Sequence, residues 1–164
     1  MAQALEDTLE LEEDTQKDKY LTFALGKEEY GIEIKHVTEI VGLQTITEVP
    51  ELPDYVKGII NLRGKIIPVV DVRLRFRKGA REYDDRTCTI VIQVKSVSVG
   101  LIVDAVAEVL SISEENIVPP PQLSSSYHHK YIKGIGKVGN NVKLLLDCDK
   151  LLSDDEVESL SSIA

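Results

Sequence analysis

Apolar residues recur along this chain in short runs, not in long helical stripes. YLTFALG places Leu21, Phe23 and Leu25 on one face by strict alternation, the period-2 pattern of a half-buried strand. YGIEI, KIIPVVDV, TIVIQV, GLIV and VKLLLDC read as further strands, rich in the β-branched residues that pack well on a pleated surface. Lysines, glycines and short polar interruptions separate them, and sustained 3.6-residue periodicity is hardly present. The pattern predicts a mainly β fold built of small barrels, in which closure removes the unpaired edges of an open sheet. The two ends differ from this middle. Residues 1–18, including EDTLELEEDTQKD, are acid-rich and lack a sustained apolar face, which predicts a solvated, disordered tail. Ser153-Asp154-Asp155-Glu156 spells a capping box ahead of VESL and predicts a short helix over residues 153–164.

The apolar pattern also repeats. Sliding the chain by 69 residues lays YLTFALGKEEYGIEIKHVTEIVGLQTITEVP over TIVIQVKSVSVGLIVDAVAEVLSISEENIVP without a gap. Gly31 then falls on Gly100, Val37 on Val106, Glu39 on Glu108 and Pro50 on Pro119. Seven further residues of offset lay YVKGIINLRGKIIPVVD over YIKGIGKVGNNVKLLLD, matching Tyr55 to Tyr131, Lys57 to Lys133, Gly58 to Gly134 and Asp71 to Asp147. The extra residues fall in PPPQLSSS, where an insertion costs little. Matched glycines and prolines depend on backbone geometry, so chance supplies them less readily than matched aliphatics. An internal duplication follows, with two lobes and each copy supplying most of one barrel. GAREYDDRT, near residues 80–88, is the expected lobe boundary, and lobes this small call for a shared apolar core.

Charge and composition narrow the function. The 164 residues carry 28 acidic and 19 basic side chains, a formal charge of -9, and a field of that sign repels phosphate backbones. Nucleic acid is therefore not an expected partner, and a small RNA-binding barrel is disfavoured. Cys88 and Cys148 form no disulfide framework and suit a reducing compartment. The apolar runs are too short to span a bilayer, and the N-terminus is acidic where a signal peptide would be basic and then apolar. The expectation is a cytoplasmic protein with no direct membrane insertion.

No motif nominates a catalyst. Gly134-Ile135-Gly136-Lys137-Val138-Gly139 is a literal GxGxxG, but dinucleotide binding needs a helix N-terminus after it, and NNVKLLLD reads as a strand. In the other copy the same frame spells GIINLR, so these glycines read as strand and hairpin chemistry. Alternation through Asp147-Cys148-Asp149 would turn Cys148 to the core and both carboxylates outward. His128-His129 with Cys88 and Cys148 has the ingredients of a zinc site without its paired spacing. No cofactor and no metal are expected. The alternative reading is a small ligand- or metal-binding enzyme that uses the interlobe cleft with His128, His129 or Asp147.

Binding is the remaining class, and the repeat indicates which residues to suspect. A residue needed to build a barrel should recur in both copies. Arg63-Gly64 is matched by Gly139-Asn140, so turn geometry accounts for Gly64 better than for Arg63. A guanidinium displayed on a hairpin is a forked donor suited to anchoring a partner.

These residues carry a family resemblance. VKGIINLRGKIIPVVDVRLRF, preceded by EEYGIEIKHVTEIV and followed by VGLIVDAVAEVLSI and IKGIGKVGNNVKLLLDCDKLL, closely resembles the CheW family of bacterial chemotaxis coupling proteins over residues 20–152. The resemblance implies a CheW-like domain over 19–152, formed by two SH3-like five-stranded β-barrels that sandwich a hydrophobic core. It implies a non-enzymatic adaptor between the cytoplasmic helical tips of chemoreceptors and the regulatory domain of the histidine kinase CheA. The length, without phosphotransfer, ATPase or receiver segments, looks like the adaptor and not the kinase or a receiver fusion. Carried over by motif position, the receptor-facing groove comprises Val37, Glu39, Lys57, Gly58, Arg63, Gly100, Val106 and Val109. Gly58, Gly100 and Val106 recur in both copies, so folding could account for their identity. Kinase contacts are expected on exposed apolar strand edges, with Ile34 and Leu43 as candidates that could equally be core.

Overall fold

The computed structural model describes residues 17–120 and 130–163. Among them the first copy of the repeat forms β1 (Lys19–Leu25), β2 (Glu28–Glu33), β3 (Val37–Gly42), β4 (Val56–Leu62), β5 (Lys65–Asp71) and the one-turn helix α1 (Val72–Arg75). The second forms β6 (Cys88–Val94), β7 (Val97–Val103), β8 (Ala105–Ser111), β9 (Ile117–Val118), β10 (Ile132–Val138), β11 (Asn141–Leu146) and the one-turn helix α2 (Cys148–Leu151). Helix α3 (Asp154–Ile163) follows. Its capping box is formed: Ser153 N–H donates to Glu156 Oε1 at 2.9 Å and Glu156 N–H to Ser153 Oγ at 3.1 Å. Tail residues 1–16 and His128-His129 lie outside the described residues. The GxGxxG stretch is β10 plus the first turn residue, not a phosphate cradle. The run VKLLLDC stops being a strand at Leu146, because Asp147 caps α2 by accepting from Asp149 N–H at 3.0 Å; Cys148 is buried there.

Two sheets result, ordered β8-β1-β2-β11-β10-β9 and β3-β6-β7-β5-β4. Each copy supplies most of one sheet, as the repeat predicts: β3, β4 and β5 of the first copy in the five-stranded sheet, and β8 to β11 of the second copy in the six-stranded one. What the repeat does not predict is that the opening hairpin of each copy crosses to the other sheet. The first hairpin of each copy, β1–β2 or β6–β7, pairs with the last hairpin of the other copy through a parallel contact. Gly31 faces Leu145 in one sheet and Gly100 faces Val69 in the other, positions related by the repeat. The cause lies in the short connections: a 3-10 turn at Ile34–His36 after β2, and Asp104 alone after β7. Such links cannot fold a strand back onto its own sheet, so the chain runs on into the other one. The 80–88 segment consequently joins two elements of the same lobe, α1 after β5 and β6; it separates the repeat copies and not the lobes.

The five-stranded expectation holds for the second sheet, while the first has six strands. Neither ladder closes fully. In the first sheet, residues 105–118 pair with β1 at one end and with β10 at the other, so one bent segment forms both edges. In the second, Thr47 does the same job beyond β3: Thr47 and Ile59 exchange N–H···O bonds of 2.9 Å with each other. The barrel ends are SH3-like curls of this kind.

The largest apolar cluster lies between the sheets. It joins Leu21, Phe23, Tyr30 and Ile32 of the first to Ile90, Ile92, Val99 and Leu101 of the second, with Val157 and Leu160 of α3 at its side. Phe23, Tyr30, Phe76 and Tyr131 stack through it with successive ring centroids 5.8, 5.5 and 5.3 Å apart. Arg75 lies between the repeat-related Tyr55 and Tyr131, 4.3 and 5.1 Å from their ring centres, and donates to Leu151 C=O and Glu156. Burial pushes its pKa down from the usual guanidinium range. Inside the barrels, a smaller cluster around Ile60, Ile67, Val69 and Val91 fills the second, and Tyr20, Ile112 and Leu145 fill the first.

Candidate interaction site on the second barrel

The β4–β5 hairpin turns over two residues, Arg63 and Gly64, with φ of 52° and 86°. Both signs are positive, as a type I′ turn requires. Asn61 Oδ1 accepts from Gly64 N–H at 2.8 Å and steadies the turn. The matching turn has positive φ only at Gly139, the sign pattern of a type II′ turn with glycine leading. An arginine at the first position occupies left-handed space at a cost of about 1 kcal/mol that glycine there avoids. Local backbone preference therefore works against Arg63.

The guanidinium stands 70% exposed and engages Glu39 through Nη2, 2.5 Å from Oε1 and in contact with Oε2 as well. Glu39 reaches it because β3 is bulged: Val37 faces Ile92 while Glu39 faces Val91, leaving Thr38 as the extra residue. Bulges re-aim side chains at sheet edges. Here the bulge leaves Val37 packed on the interlobe core and Glu39 at the barrel mouth. Thr38, Lys65 and Ser98 complete the rim of this depression, and Leu62, Ile67 and Val91 form its apolar floor.

Other expected residues cluster on the same kind of feature. Lys57 is the extra residue of a bulge between Val56 and Gly58, and Val106 and Val109 flank the bulge in β8. Glu39, Val91, Gly100, Val69 and Gly58 are successive partners across all five strands of the second sheet. Gly58 has φ of 145°, and a Cβ there would stand 2.1 Å from Thr47 O, where the bent segment closes on β4. A Cβ on Gly100 would come within 2.8 Å of Thr89 and Val69 side chains. Barrel curvature thus explains both glycines without a partner. Val106 and Ile34 are half-buried against the interlobe core. Val109, on the first sheet, is 51% exposed, and Leu43 is exposed beyond β3. The structure therefore joins Arg63 and Glu39 directly, adds Lys65, Ser98 and Thr38, and leaves Val106 and Val109 on the other sheet.

Lys65 and Ser98 escaped the sequence reading, although the repeat held the signal: their counterparts are Asn141 and Glu29, a mismatch of the same sort as Arg63 with Gly139. Among the described residues no three metal-ligating side chains converge, and no helix is long and apolar enough to cross a membrane.

Comparison with known proteins adds to this geometry. A family model described as a CheW-like domain matches residues 19–156. The chain is 38% identical to the chemotaxis protein CheW of Klebsiella aerogenes over 151 residues, 92% of this chain and 91% of that one. It is 36% identical to the chemotaxis protein CheW of Treponema pallidum over 147 residues, covering 87% and 86%. The crystal structure of the scaffolding protein TtCheW from Thermoanaerobacter tengcongensis aligns with a TM-score of 0.78 at 37% identity, covering 85% of this chain and 94% of that one. With the duplicated, exchanged-hairpin barrels and these matches together, the chain belongs to the CheW-like family of chemotaxis proteins.

Proposed function

We propose that this protein is a non-enzymatic scaffold that joins the cytoplasmic helical tips of chemoreceptors to the regulatory domain of the histidine kinase CheA, and so works in the cytoplasm at membrane-associated receptor arrays. The observation that carries the receptor side is Arg63: the backbone disfavours it, the equivalent turn dispenses with it, and it stays exposed on a bulge-aimed carboxylate. Receptor helices pack against the groove, with Val37, Lys57, Gly58, Gly100, Val106 and Val109 forming or shaping it and the Arg63–Glu39 pair at its polar rim. Exposed apolar residues support the kinase side. Ile66 and Val142 are exposed at positions related by the repeat, and Ile40 is exposed on β3. Each lobe thus offers a similar apolar edge, with Leu43 beside the second and Ile34 beneath it, and one adaptor can engage kinase barrels at both ends. Coupling requires contacts that differ between receptor states, because equal binding to both transmits nothing.

The test is capture by receptor-containing membranes, with kinase activity read in parallel. Arg63→Ala is expected to keep the fold while weakening capture and kinase activation. An unfolded variant, or one that binds and activates like the parent, rejects the assignment.

A further inference from the structure

We infer that Lys65 is a specificity-determining residue, which with Arg63 makes the mouth of the second barrel a seat for a carboxylate on the docked partner helix. The inference rests on the receptor-docking reading above and names the chemistry of that contact.

The charge balance of the mouth is the starting point. Arg63, Lys65 and Glu39 line it, two cations against one anion. Glu39 is taken by Arg63, which uses Nη2 alone. Lys65 Nζ donates to Ser98 Oγ at 3.0 Å and, among the described residues, forms no ion pair. An ammonium held by one neutral hydroxyl retains donor capacity, since it carries three N–H groups.

The equivalent mouth of the first barrel lacks this surplus. There Asn141 replaces Lys65 and Glu29 replaces Ser98; Glu29 pairs with the buried Lys143, and Lys27 at the rim is offset by Glu28 beside it. Cations and anions balance at one mouth, and at the other a cation in excess stands beside an exposed guanidinium, in a chain of charge -9.

An aspartate or glutamate on a partner helix fits this arrangement. One carboxylate oxygen accepts from Lys65 Nζ and the other from the unused edge of the Arg63 fork. An apolar neighbour one helical turn away would rest against the floor of Leu62, Ile67 and Val91. Charge-assisted bonds of this type are stronger than neutral ones, and a rim charge chiefly sets partner choice. A neutral or basic partner surface gains nothing there.

Co-sedimentation with chemoreceptor-containing membranes tests the assignment, using full-length protein and its Lys65→Gln, Lys65→Glu and Lys65→Arg variants. Lys65→Gln should bind about five- to tenfold more weakly and Lys65→Glu more weakly still, while Lys65→Arg stays near the parent. The gap between parent and Lys65→Gln should narrow as salt is raised. Capture by the kinase regulatory domain, and Tm, should not change. Parent-like receptor binding by Lys65→Gln and Lys65→Glu overturns the inference and leaves the receptor reading standing. A parent protein that fails to sediment overturns that reading and the inference with it. Tighter receptor binding by Lys65→Gln would identify the occupant as the chain's own residues 1–16, with six carboxylates, and overturns the assignment to a partner. A loss confined to kinase capture overturns it too.

Discussion

The two barrels share one sequence unit and one topology, yet they solve the same corners differently. In the first, the hairpin turns lead with Gly26 and Gly139, and only these turn residues have positive φ. In the second, Lys95-Ser96 and Arg63-Gly64 are left-handed at both central positions, so three non-glycine residues sit in disfavoured backbone. The interiors diverge as well. Ile67 and Val91 of the second barrel correspond to Lys143 and Thr22 of the first, where Thr22 Oγ1 donates to Glu108 C=O at 2.8 Å. The first barrel satisfies its polar groups inside. The second puts Ile67 and Val91 in their places and sets its charged groups at the mouth, on strained turns. Strain of this kind, which folding does not call for, supports the docking role proposed for the second barrel.

Substitutions at matched positions can break or sharpen this contrast. The largest difference is expected at the closing glycines. Gly58→Ala should cost about 3 kcal/mol or more, because neither φ nor Thr47 O can yield. Gly134→Ala meets Ile117 Cγ2 at 2.8 Å and Val118 O at 3.4 Å, contacts that small shifts can relieve, and should cost about 1–2 kcal/mol. Denaturant melts of both variants measure this, and equal losses would refute the idea that the second barrel closes more tightly.

Next come the capping aspartates. Asp71 is buried, accepts from Leu74 N–H at 3.3 Å and from the Tyr83 hydroxyl at 2.7 Å, and so pins the 80–88 segment. Burial, reinforced by that carboxylate, pushes the Tyr83 phenol far above its usual range. Asp147 caps α2 without such a partner. Asp71→Ala should cost about 2–3 kcal/mol and Asp147→Ala about 1 kcal/mol. Adding Tyr83→Phe should recover part of the first loss and none of the second, which a double-mutant cycle reads directly.

The turns give a smaller and opposite pair. Arg63→Gly should leave stability unchanged or raise it by up to about 1 kcal/mol, while Gly139→Arg should lower it by a similar amount. If Arg63→Gly destabilises the fold, the Glu39 ion pair is structural and the argument for a binding role weakens. The smallest effect concerns thiols. Burial pushes Cys148 up to about 12, so almost no thiolate forms near pH 8, whereas Cys88 is only half-buried. Iodoacetamide at pH 8 should label Cys88 first and Cys148 only on unfolding, with mass spectrometry as the readout.

Much of this was legible in one sequence. Alternation gave the strands, and Ser153 and Glu156 gave the start of α3. The paired glycines Gly31/Gly100 and Gly58/Gly134 exposed the duplication because each occupies a place where another chain segment passes too close for a side chain. Arg63 stood out by lacking a counterpart. The exchange of hairpins was hidden, since a period-2 pattern says which face is buried and not which strand lies alongside. Lys65 was overlooked for a related reason: its partner Ser98 is 33 residues away, and only pairing across β5 and β7 brings them together.

The sequence by itself determined the elements, their two-fold repetition and the residues that break it, because periodicity and turn chemistry are local. Tertiary structure decided which copy's hairpins share a sheet, that bulges aim Glu39 at Arg63, and that one barrel mouth keeps cations in excess of anions. Those outcomes depend on register and close approach between distant segments, which no local pattern encodes.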